Sequence, residues 1–578
     1  MPTPEWQTAF PLSALDVGAA KLATIGGRKV AVFRTAPDAL YAIDNACPHE
    51  GYPLIQGDRK DCTLTCIWHN FKFDLRSGAC LKGDEDVRTY AVRVADGQVQ
   101  IDATEPDLSA QIPRIFESLE AALLDARVGQ ACRDATRLLQ AGLKPEAILA
   151  WVAAFDARYA EYGVTHALPV AVDAAVLARR LEGPEATYAI AQALELAAET
   201  NVRRPVRPVP APEAPPSDPD AAFALLRQRV EDEDAEGAEA LVRGAVAAGV
   251  PLEQVLGWTV RLCSDHFLDF GHALIYTAKS YTLMPMGGAS YAEDLLGALV
   301  FRVVNGTRED LLPKWARWRK RFAALEPELP ALHARQLAGG PPYWDRTATR
   351  RAILDGGPAE ALDAVVARLQ EGVPVVDLVG LLSACASARM LGFDPAIDAD
   401  PGVQEGWLDV THLLTFCNAV RRVAERVQHP EVLRLLFQAV RFVNHARPLD
   451  RAVGGGARSG VSGTPAELVA AIRAGDPERA EDLCVGLLRD ETPGLRAALL
   501  DLPLQDLTTR PIVTAHVIKT TIAAFEEADE LAGEPDAALP VRAVARWLAS
   551  PVDQRFLRSR VHDAIGFVVE GRIPRTLT

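Results

Sequence analysis

Short apolar runs separated by turn-forming Gly, Pro and Asp residues occupy the first hundred positions of the chain. Val30–Phe33 and Leu40–Ile43 are two such runs, and Val87–Val94 and Val99–Asp102 are two more. Brief apolar or aromatic runs bounded by turn residues are typical of β-strands joined by tight turns. We therefore predict an all-β domain over residues 1–104.

From about residue 115 the apolar positions recur with helical spacing, and Leu, Ala, Arg and Glu dominate. Residues 201–220 interrupt this pattern with seven prolines, which favours an extended, semi-rigid segment. The pattern predicts helices over residues 115–200 and 221–578, packed together as one all-α domain. The predicted fold is thus multidomain, with an all-β domain followed by a large all-α domain.

The helical part contains a recurring order of features that predicts a fourfold internal repeat. In each copy a helix ends at a turn with a proline, a Leu/Ala-rich helix follows, and a third segment carries a histidine among apolar neighbours. The turn prolines are Pro145, Pro251, Pro374 and Pro493, and the histidines are His166, His272, His412 and His516. The third copy has the longest gap, so we expect an insertion near residues 394–406. Similar Leu/Ala-rich composition without true repetition is the alternative.

Charge and cysteine content narrow the function classes. The 578-residue chain has a formal net charge of −16, which does not suit nucleic acid or an anionic membrane as a partner. No stretch of 18 residues is both apolar and uncharged, so we expect no transmembrane helix, and residues 1–15 do not resemble a secretory signal. Nine scattered cysteines favour a reducing compartment, and we expect a cytoplasmic protein.

Two short motifs in the β-rich part combine cysteine with histidine. Cys47-Pro48-His49 is followed, after sixteen residues, by Cys66-Ile67-Trp68-His69. Cysteine thiolates can bind one iron and histidine nitrogens the other iron of a [2Fe–2S] cluster. A zinc site with the same four ligands is the alternative, but zinc sites usually pair like ligands with like. We predict that Cys47, His49, Cys66 and His69 bind the cluster.

This motif resembles the Rieske family, and the resemblance covers about residues 5–103. It implies a small β-sandwich with the cluster at the tip of two loops. In high-potential Rieske proteins, cysteines that form a disulfide stand where this chain has Tyr52 and Trp68. Hydroxyl donors stand there where this chain has Phe71 and Phe73. Since fewer donors to the cluster lower its potential, we expect a value nearer about −150 mV than about +300 mV.

The repeat histidines are candidates for a second site. On one continuous helix Asp265, Asp269, His272, Tyr276 and Lys279 would share a face, and Asp269-x-x-His272 recurs as Asp409-x-x-His412. We predict a pocket where the four repeat helices converge, which holds mononuclear non-haem iron or a substrate. The catalytic candidates are His272, Asp269, His412, Asp409, His166 and His516. Hydrogen-bonded core histidines are the alternative.

Two helical segments carry a second resemblance. The stretches HALIYTAKSYTL, from His272, and HLLTFCNAVR, from His412, are similar to the questin-oxidase-like family of helical proteins. That resemblance would imply an oxygen-dependent oxidase of an aromatic compound, and no site residues are carried over from it.

These features predict an oxidoreductase in which the cluster delivers electrons to a site in the helical domain. No dinucleotide fingerprint or P-loop is present, so we expect a separate reductase or ferredoxin-type electron donor and a small-molecule substrate. The chain also lacks the strand-rich oxygenase domain that often follows a Rieske domain. The alternative is a redox-sensing or electron-carrier module fused to a non-catalytic helical scaffold, which could bind a small ligand only.

Overall fold

The structure is a computed structural model that describes residues 4–83, 85–105, 109–341, 343–400, 402–403, 405–451, 458–508, 510–550 and 552. Residues 553–578, which the sequence assigns to the last helical repeat, lie outside the described residues. The chain divides into two compact units. The first comprises residues 1–122 and 129–142, and the second comprises residues 123–128 and 143–578.

The first unit is built mainly from short strands. They are β1 (Trp6–Pro11), β2 (Ala20–Ile25), β3 (Arg28–Ala36), β4 (Ala39–Asp44), β5 (Asp58–Lys60), β6 (Thr63–Thr65), β7 (Lys72–Asp74), β8 (Cys80–Lys82), β9 (Thr89–Tyr90), β10 (Val92–Ala95) and β11 (Gln98–Asp102). They form three antiparallel sheets in the orders β1-β11-β10, β2-β3-β4-β9 and β5-β6-β7-β8. The predicted all-β domain is confirmed.

Strand β3 separates two hydrophobic cores. Val30 and Val32 face one core, while Ala31 and Phe33 face the other. Alternate residues of a strand point to opposite faces, so a continuous apolar run is the pattern expected of a strand buried on both sides. The core behind Phe33 also contains the predicted ligand Cys47.

The predicted start of the all-α domain, at about residue 115, differs from the division of the structure into two units. Helices α1 (Ile112–Leu124) and α2 (Val128–Gln140) contribute most of their residues to the first unit, although the sequence assigns them to the all-α domain. The buried carboxylate of Glu85 explains this placement, because it forms ion pairs with Arg133 and Arg137 of α2. A buried carboxylate requires paired donors, and here a helix supplies them.

The second unit is helical, as predicted. Its helices are α3 (Pro145–Tyr159), α4 (Ala167–Ala178), α5 (Thr187–Asn201), α6 (Pro219–Glu231), α7 (Ala235–Ala247), α8 (Leu252–Asp265), α9 (His272–Leu283), α10 (Ala292–Asn305), α11 (Ala316–Leu325), α12 (Leu329–Leu337), α13 (Arg346–Asp355), α14 (Pro358–Glu371), α15 (Val375–Gly392), α16 (Ala396–Ala399), α17 (Trp407–Ala424), α18 (Val432–His445), α19 (Pro465–Arg473), α20 (Pro477–Arg489), α21 (Leu495–Asp501), α22 (Pro511–Glu530) and α23 (Leu539–Ala549).

The turn prolines lie at or near helix starts. Pro145 is the first residue of α3, Pro251 and Pro374 directly precede α8 and α15, and Pro493 lies two residues before α21. Proline fits these positions because the first turn of a helix leaves its N–H groups without helical partners. The fourfold repeat itself stays a prediction.

The proline-rich segment is extended between α5 and α6. Its backbone is held at intervals to the helical unit, since Arg207 N–H donates to the Arg158 carbonyl and Glu213 N–H to the Ala240 carbonyl. The buried Arg207 guanidinium also forms a two-point ion pair with Glu239, at 2.6 and 2.8 Å. The segment is therefore attached to the helical unit at these residues.

Among the described residues, one helix has the length and hydropathy of a membrane span. It is α15, with a mean hydropathy of 1.5, and 78% of it is buried inside the protein.

Candidate metal centres

Two tight loops carry the predicted Rieske ligands. The first follows β4 and holds Cys47 and His49, and the second joins β6 to β7 and holds Cys66 and His69. Each loop contains a turn that is closed by a hydrogen bond to the carbonyl of its cysteine. The Cys47 carbonyl accepts the Gly51 N–H at 2.7 Å, and the Cys66 carbonyl accepts the N–H of the residue after His69 at 3.0 Å.

Between the loops the side chains meet in pairs, His49 with His69 and Cys47 with Cys66. The Nδ1 atoms of His49 and His69 are 3.1 Å apart, and both cysteines are buried beneath them. Burial, followed by the nearby Cys66 thiol among the raising effects, raises the pKa of Cys47 to about 11. Two thiols and two imidazoles with converging donor atoms fit a [2Fe–2S] cluster, whose iron would hold the thiols as thiolates.

The outer rim of this site is exposed and partly apolar. Trp68 is 61% exposed and stacks on Tyr52, while His69 is exposed beside Glu50, with 3.8 Å between Nε2 and the carboxylate. His49 stacks against Phe71 at 4.6 Å between ring centroids. Exposed apolar side chains around a redox site are typical of a surface that another protein contacts.

A second cluster lies in the helical unit and contains the four repeat histidines. The Nε2 atoms of His166 and His272 are 3.1 Å apart, those of His272 and His412 are 2.9 Å apart, and those of His412 and His516 are 3.2 Å apart. All four donor nitrogens lie within 4.8 Å of one another. Nitrogens at about 2.1 Å from one ion are about 3.0–3.4 Å apart at angles of 90–109°. The cluster therefore has the spacing of a mononuclear site.

Two of these histidines are oriented by their own helices. Each is the sixth residue of its helix, His412 in α17 and His516 in α22. The Nδ1 of His412 lies 2.7 Å from the Leu408 carbonyl, and the Nδ1 of His516 lies 2.6 Å from the Ile512 carbonyl. A carbonyl only accepts hydrogen bonds, so each Nδ1 carries the proton and each Nε2 presents a lone pair.

This assignment leaves two acceptors facing each other. The Nε2 atoms of His412 and His516 are 3.2 Å apart with no proton to share between neutral rings. Burial, followed by the charge of Lys519, lowers the pKa of His412 to about 3 and that of His516 well below its usual value. Protonation is therefore disfavoured, and a metal cation bound between the two nitrogens would satisfy both lone pairs.

The remaining two histidines lie at helix starts. His272 is the first residue of α9 and follows Gly271, whose φ is +86° and where a Cβ would lie 2.3 Å from the Phe416 ring. Only glycine fits that position, and it fixes where α9 begins. His166 directly precedes α4, and its Nδ1 lies 3.2 Å from the hydroxyl of the buried Tyr276.

The predicted aspartates are not in the cluster. The expected continuous helix over Asp265–Lys279 is wrong, because α8 ends at Asp265 and the chain turns through positive φ before His272. Asp269 instead binds Arg302 at 2.7 Å and accepts the Thr307 N–H. Asp409 accepts the Gly406 N–H at the start of α17. Both carboxylates thus have other partners, and the group of donor atoms that converges in the helical unit consists of the four histidines.

The sequence analysis did not identify one buried charged side chain that lies near the cluster. Lys519 of α22 is buried one turn after His516, and its Nζ has no hydrogen-bond partner among the described residues. It lines a small cavity of about 50 Å³ between the four histidine-bearing helices, together with an Asp173–Lys279 ion pair of 2.5 Å. In the sequence, only its position three residues after His516 indicated that Lys519 lies near the cluster.

Comparison with known proteins agrees with the loop geometry. The family model described as Rieske [2Fe-2S] domain matches residues 5–93. The chain belongs to the Rieske [2Fe–2S] family through its N-terminal domain. The anthranilate 1,2-dioxygenase ferredoxin subunit of Burkholderia cepacia is 36% identical over 104 residues, which cover 17% of this chain and 91% of that protein.

Two further relatives cover the same small share of the chain. The 4beta-methylsterol monooxygenase of Methylococcus capsulatus is 30% identical over 99 residues, which are 15% of this chain and 27% of that protein. The solved ferredoxin of carbazole 1,9a-dioxygenase from Nocardioides aromaticivorans IC177 is 29% identical, and 18% of this chain covers all of it with a TM-score of 0.17. The homology to dioxygenase ferredoxin subunits supports an electron-transfer role for the N-terminal domain.

Proposed function

We propose that this protein is an oxidoreductase in which a Rieske domain delivers electrons to a non-haem iron centre in the helical unit. Cys47, His49, Cys66 and His69 would hold the [2Fe–2S] cluster, and His166, His272, His412 and His516 would hold the iron. The observation that carries the proposal is the convergence of four buried imidazole nitrogens, in which the Nε2 lone pairs of His412 and His516 face each other at 3.2 Å.

The Rieske residues have separate tasks in this proposal. When bound, the cluster supplies reversible one-electron transfer. The buried cysteines shield its inner side, while His69 and Trp68 present the outer side to a protein partner. A separate reductase or ferredoxin-type donor is the expected partner, and the scattered cysteines are consistent with a cytoplasmic location.

The choice of metal follows from the ligands and from the neighbouring domain. Imidazole nitrogens suit iron, copper, zinc and nickel, so four histidines alone do not select one of them. Zinc has no redox chemistry and would leave the electrons without an acceptor. Iron also fits a chain that is already loaded with iron and sulfide, and we expect three irons and two sulfides per chain.

The test is metal analysis of the full-length protein purified and reconstituted without oxygen. We expect three irons in the wild type, two in His516→Leu, and three in His333→Leu, a control histidine that lies outside the cluster. Chemical reduction of the wild type should change the spectroscopic signals of both the cluster and the histidine-bound iron. In His516→Leu only the cluster signal should change. Two irons in the wild type, or zinc at the helical site, would overturn the proposal.

Oxygen uptake separates the oxidoreductase from the alternative. With a reductase and the reduced cluster, we expect oxygen consumption that depends on His516. A protein that consumes no oxygen but binds a partner only in one redox state would instead be an electron-carrier or redox-sensing module on a helical scaffold.

A further inference from the structure

An apolar cavity lies directly beside the histidine cluster. Its volume is about 290 Å³, and its walls include the aromatic side chains of Phe267, Phe270, Trp315 and Phe442. Pockets that bind small molecules are concave and mainly apolar, with a few polar groups that orient the ligand. The size places this cavity near the lower end of such sites, which suits a compound of one or two rings.

Three wall residues connect this cavity to His412. Asp409 and Leu413 lie three residues before and one residue after it on α17, and both line the cavity. Phe270 also lines the cavity, and its ring stacks on His412 with 6.5 Å between centroids. A ligand in the cavity would therefore lie within one side chain of the histidine cluster.

The cavity wall includes a buried cation that no carboxylate meets among the described residues. Arg441 of α18 is 1% exposed, forms no hydrogen bond or ion pair within the described part of the chain, and lies over the Trp315 ring at 4.4 Å. The other buried arginines all bind carboxylates. They are Arg207, Arg243, Arg389, Arg421 and Arg546. Arg441 is the exception among the buried arginines that the structure describes, and it lines a cavity.

Glu309, Glu405 and Asp409 line the same cavity, but none of these carboxyl groups forms an ion pair with Arg441 among the described residues. Glu309 instead accepts the Phe270 N–H at 2.5 Å. Burial raises the pKa of Glu309 to about 7, which favours its uncharged form. A buried charge is costly unless an opposite charge meets it, and a planar guanidinium matches a carboxylate at two points.

We propose that this cavity binds an aromatic carboxylate, with the ring among Phe267, Trp315 and Phe442 and the carboxylate on Arg441. The ligand would be the substrate of the adjacent iron centre, so the substrate role rests on the proposed function, whereas the binding itself does not.

Calorimetric titration of the full-length protein tests the binding. The probes are benzoate and 2-naphthoate, with benzamide as the uncharged analogue of benzoate. We expect benzoate to bind roughly 10- to 150-fold more tightly than benzamide, since a charge-assisted hydrogen bond is lost in the amide. Equal binding of benzoate and benzamide, or no binding of either carboxylate, would overturn the proposal.

Variants locate the site. Arg441→Met should weaken benzoate binding to the level of benzamide without changing benzamide binding, and Arg441→Lys should restore part of the difference. Arg447→Met is the control, because Arg447 is exposed and lies six residues further along the chain. An unchanged benzoate affinity in a folded Arg441→Met protein would place the anion elsewhere and contradict the proposal.

The same titration in His516→Leu separates the two proposals. Benzoate binding that persists without the second metal would support the cavity even if the helical unit held no iron. If Arg441→Met binds iron normally and the wild type does not bind benzoate, the proposed iron centre stands and the proposed carboxylate site is wrong.

Discussion

Replacing His516 by leucine distinguishes a metal ligand from a hydrogen-bonded core histidine. Leucine removes the Nε2 lone pair that faces His412 at 3.2 Å and leaves an apolar side chain in a position that is 2% exposed. If His516 is a ligand, the metal-free variant loses the Nδ1 hydrogen bond to the Ile512 carbonyl but also the repulsion between two acceptors, so its stability should stay within about 1 kcal/mol of the metal-free wild type. A core histidine would instead lose its hydrogen bonds and destabilise the variant.

The expected loss of metal affinity can be bounded. Removing an outer partner of a metal ligand already costs about 10- to 100-fold in affinity, so removing a ligand should cost at least about 100-fold, or about 2.7 kcal/mol. With free metal at about 1,000 times the wild-type Kd, metal stabilises the wild type by about 4.1 kcal/mol. The same metal concentration would stabilise the variant by only about 1.4 kcal/mol.

Competition with a chelator of known affinity measures the Kd, and urea unfolding followed by helical circular dichroism measures the stabilisation. His333→Leu serves as the control in both assays. A His516→Leu protein that keeps the wild-type Kd would refute the ligand assignment. A metal-free variant that is less stable by about 2 kcal/mol or more would favour the hydrogen-bonded core interpretation.

Three further predictions follow from individual side chains. Voltammetry should give a cluster potential nearer about −150 mV than about +300 mV, and Phe73→Tyr should raise it if the added hydroxyl reaches the cluster; a wild-type potential above zero would contradict this expectation. The pKa of Glu309 is about 7 in the folded state and about 4.5 in the unfolded state, so the folded state binds its proton more tightly. The free energy of unfolding of the wild type should therefore fall as the pH rises from 4.5 to 7. The free energy of unfolding of Glu309→Gln should not decline in this way and should exceed that of the wild type by up to about 3 kcal/mol above pH 7. If the free energies of unfolding of the two proteins changed in parallel with pH, the prediction would be wrong. Arg421→Met should destabilise the protein by about 3–5 kcal/mol, because it leaves the buried Glu527 unpaired, whereas Arg441→Met should leave the melting temperature unchanged or higher. A comparable drop in both variants would mean that Arg441 has a structural partner.

The sequence alone determined the features that depend on local spacing. The mixed pairs Cys47/His49 and Cys66/His69 identified the cluster loops, because four ligands within 23 residues can meet only through a tight pair of turns. The same order of proline and histidine in four segments identified the four histidines as candidates for one site, although His412 and His516 lie inside their helices and His166 and His272 lie at helix starts. Apolar periodicity was sufficient for both fold classes.

Only the tertiary structure decided which neighbours share a site. Asp269 is three residues from His272, but positive φ values between them turn its carboxylate toward Arg302. Arg441 lies in the amphipathic helix α18, and its lack of a carboxylate partner depends on where distant segments place their carboxylates. Glu85 likewise draws α2 into the first unit through long-range ion pairs. Charge compensation in a buried environment is a property of the whole fold, and local sequence patterns therefore do not contain it.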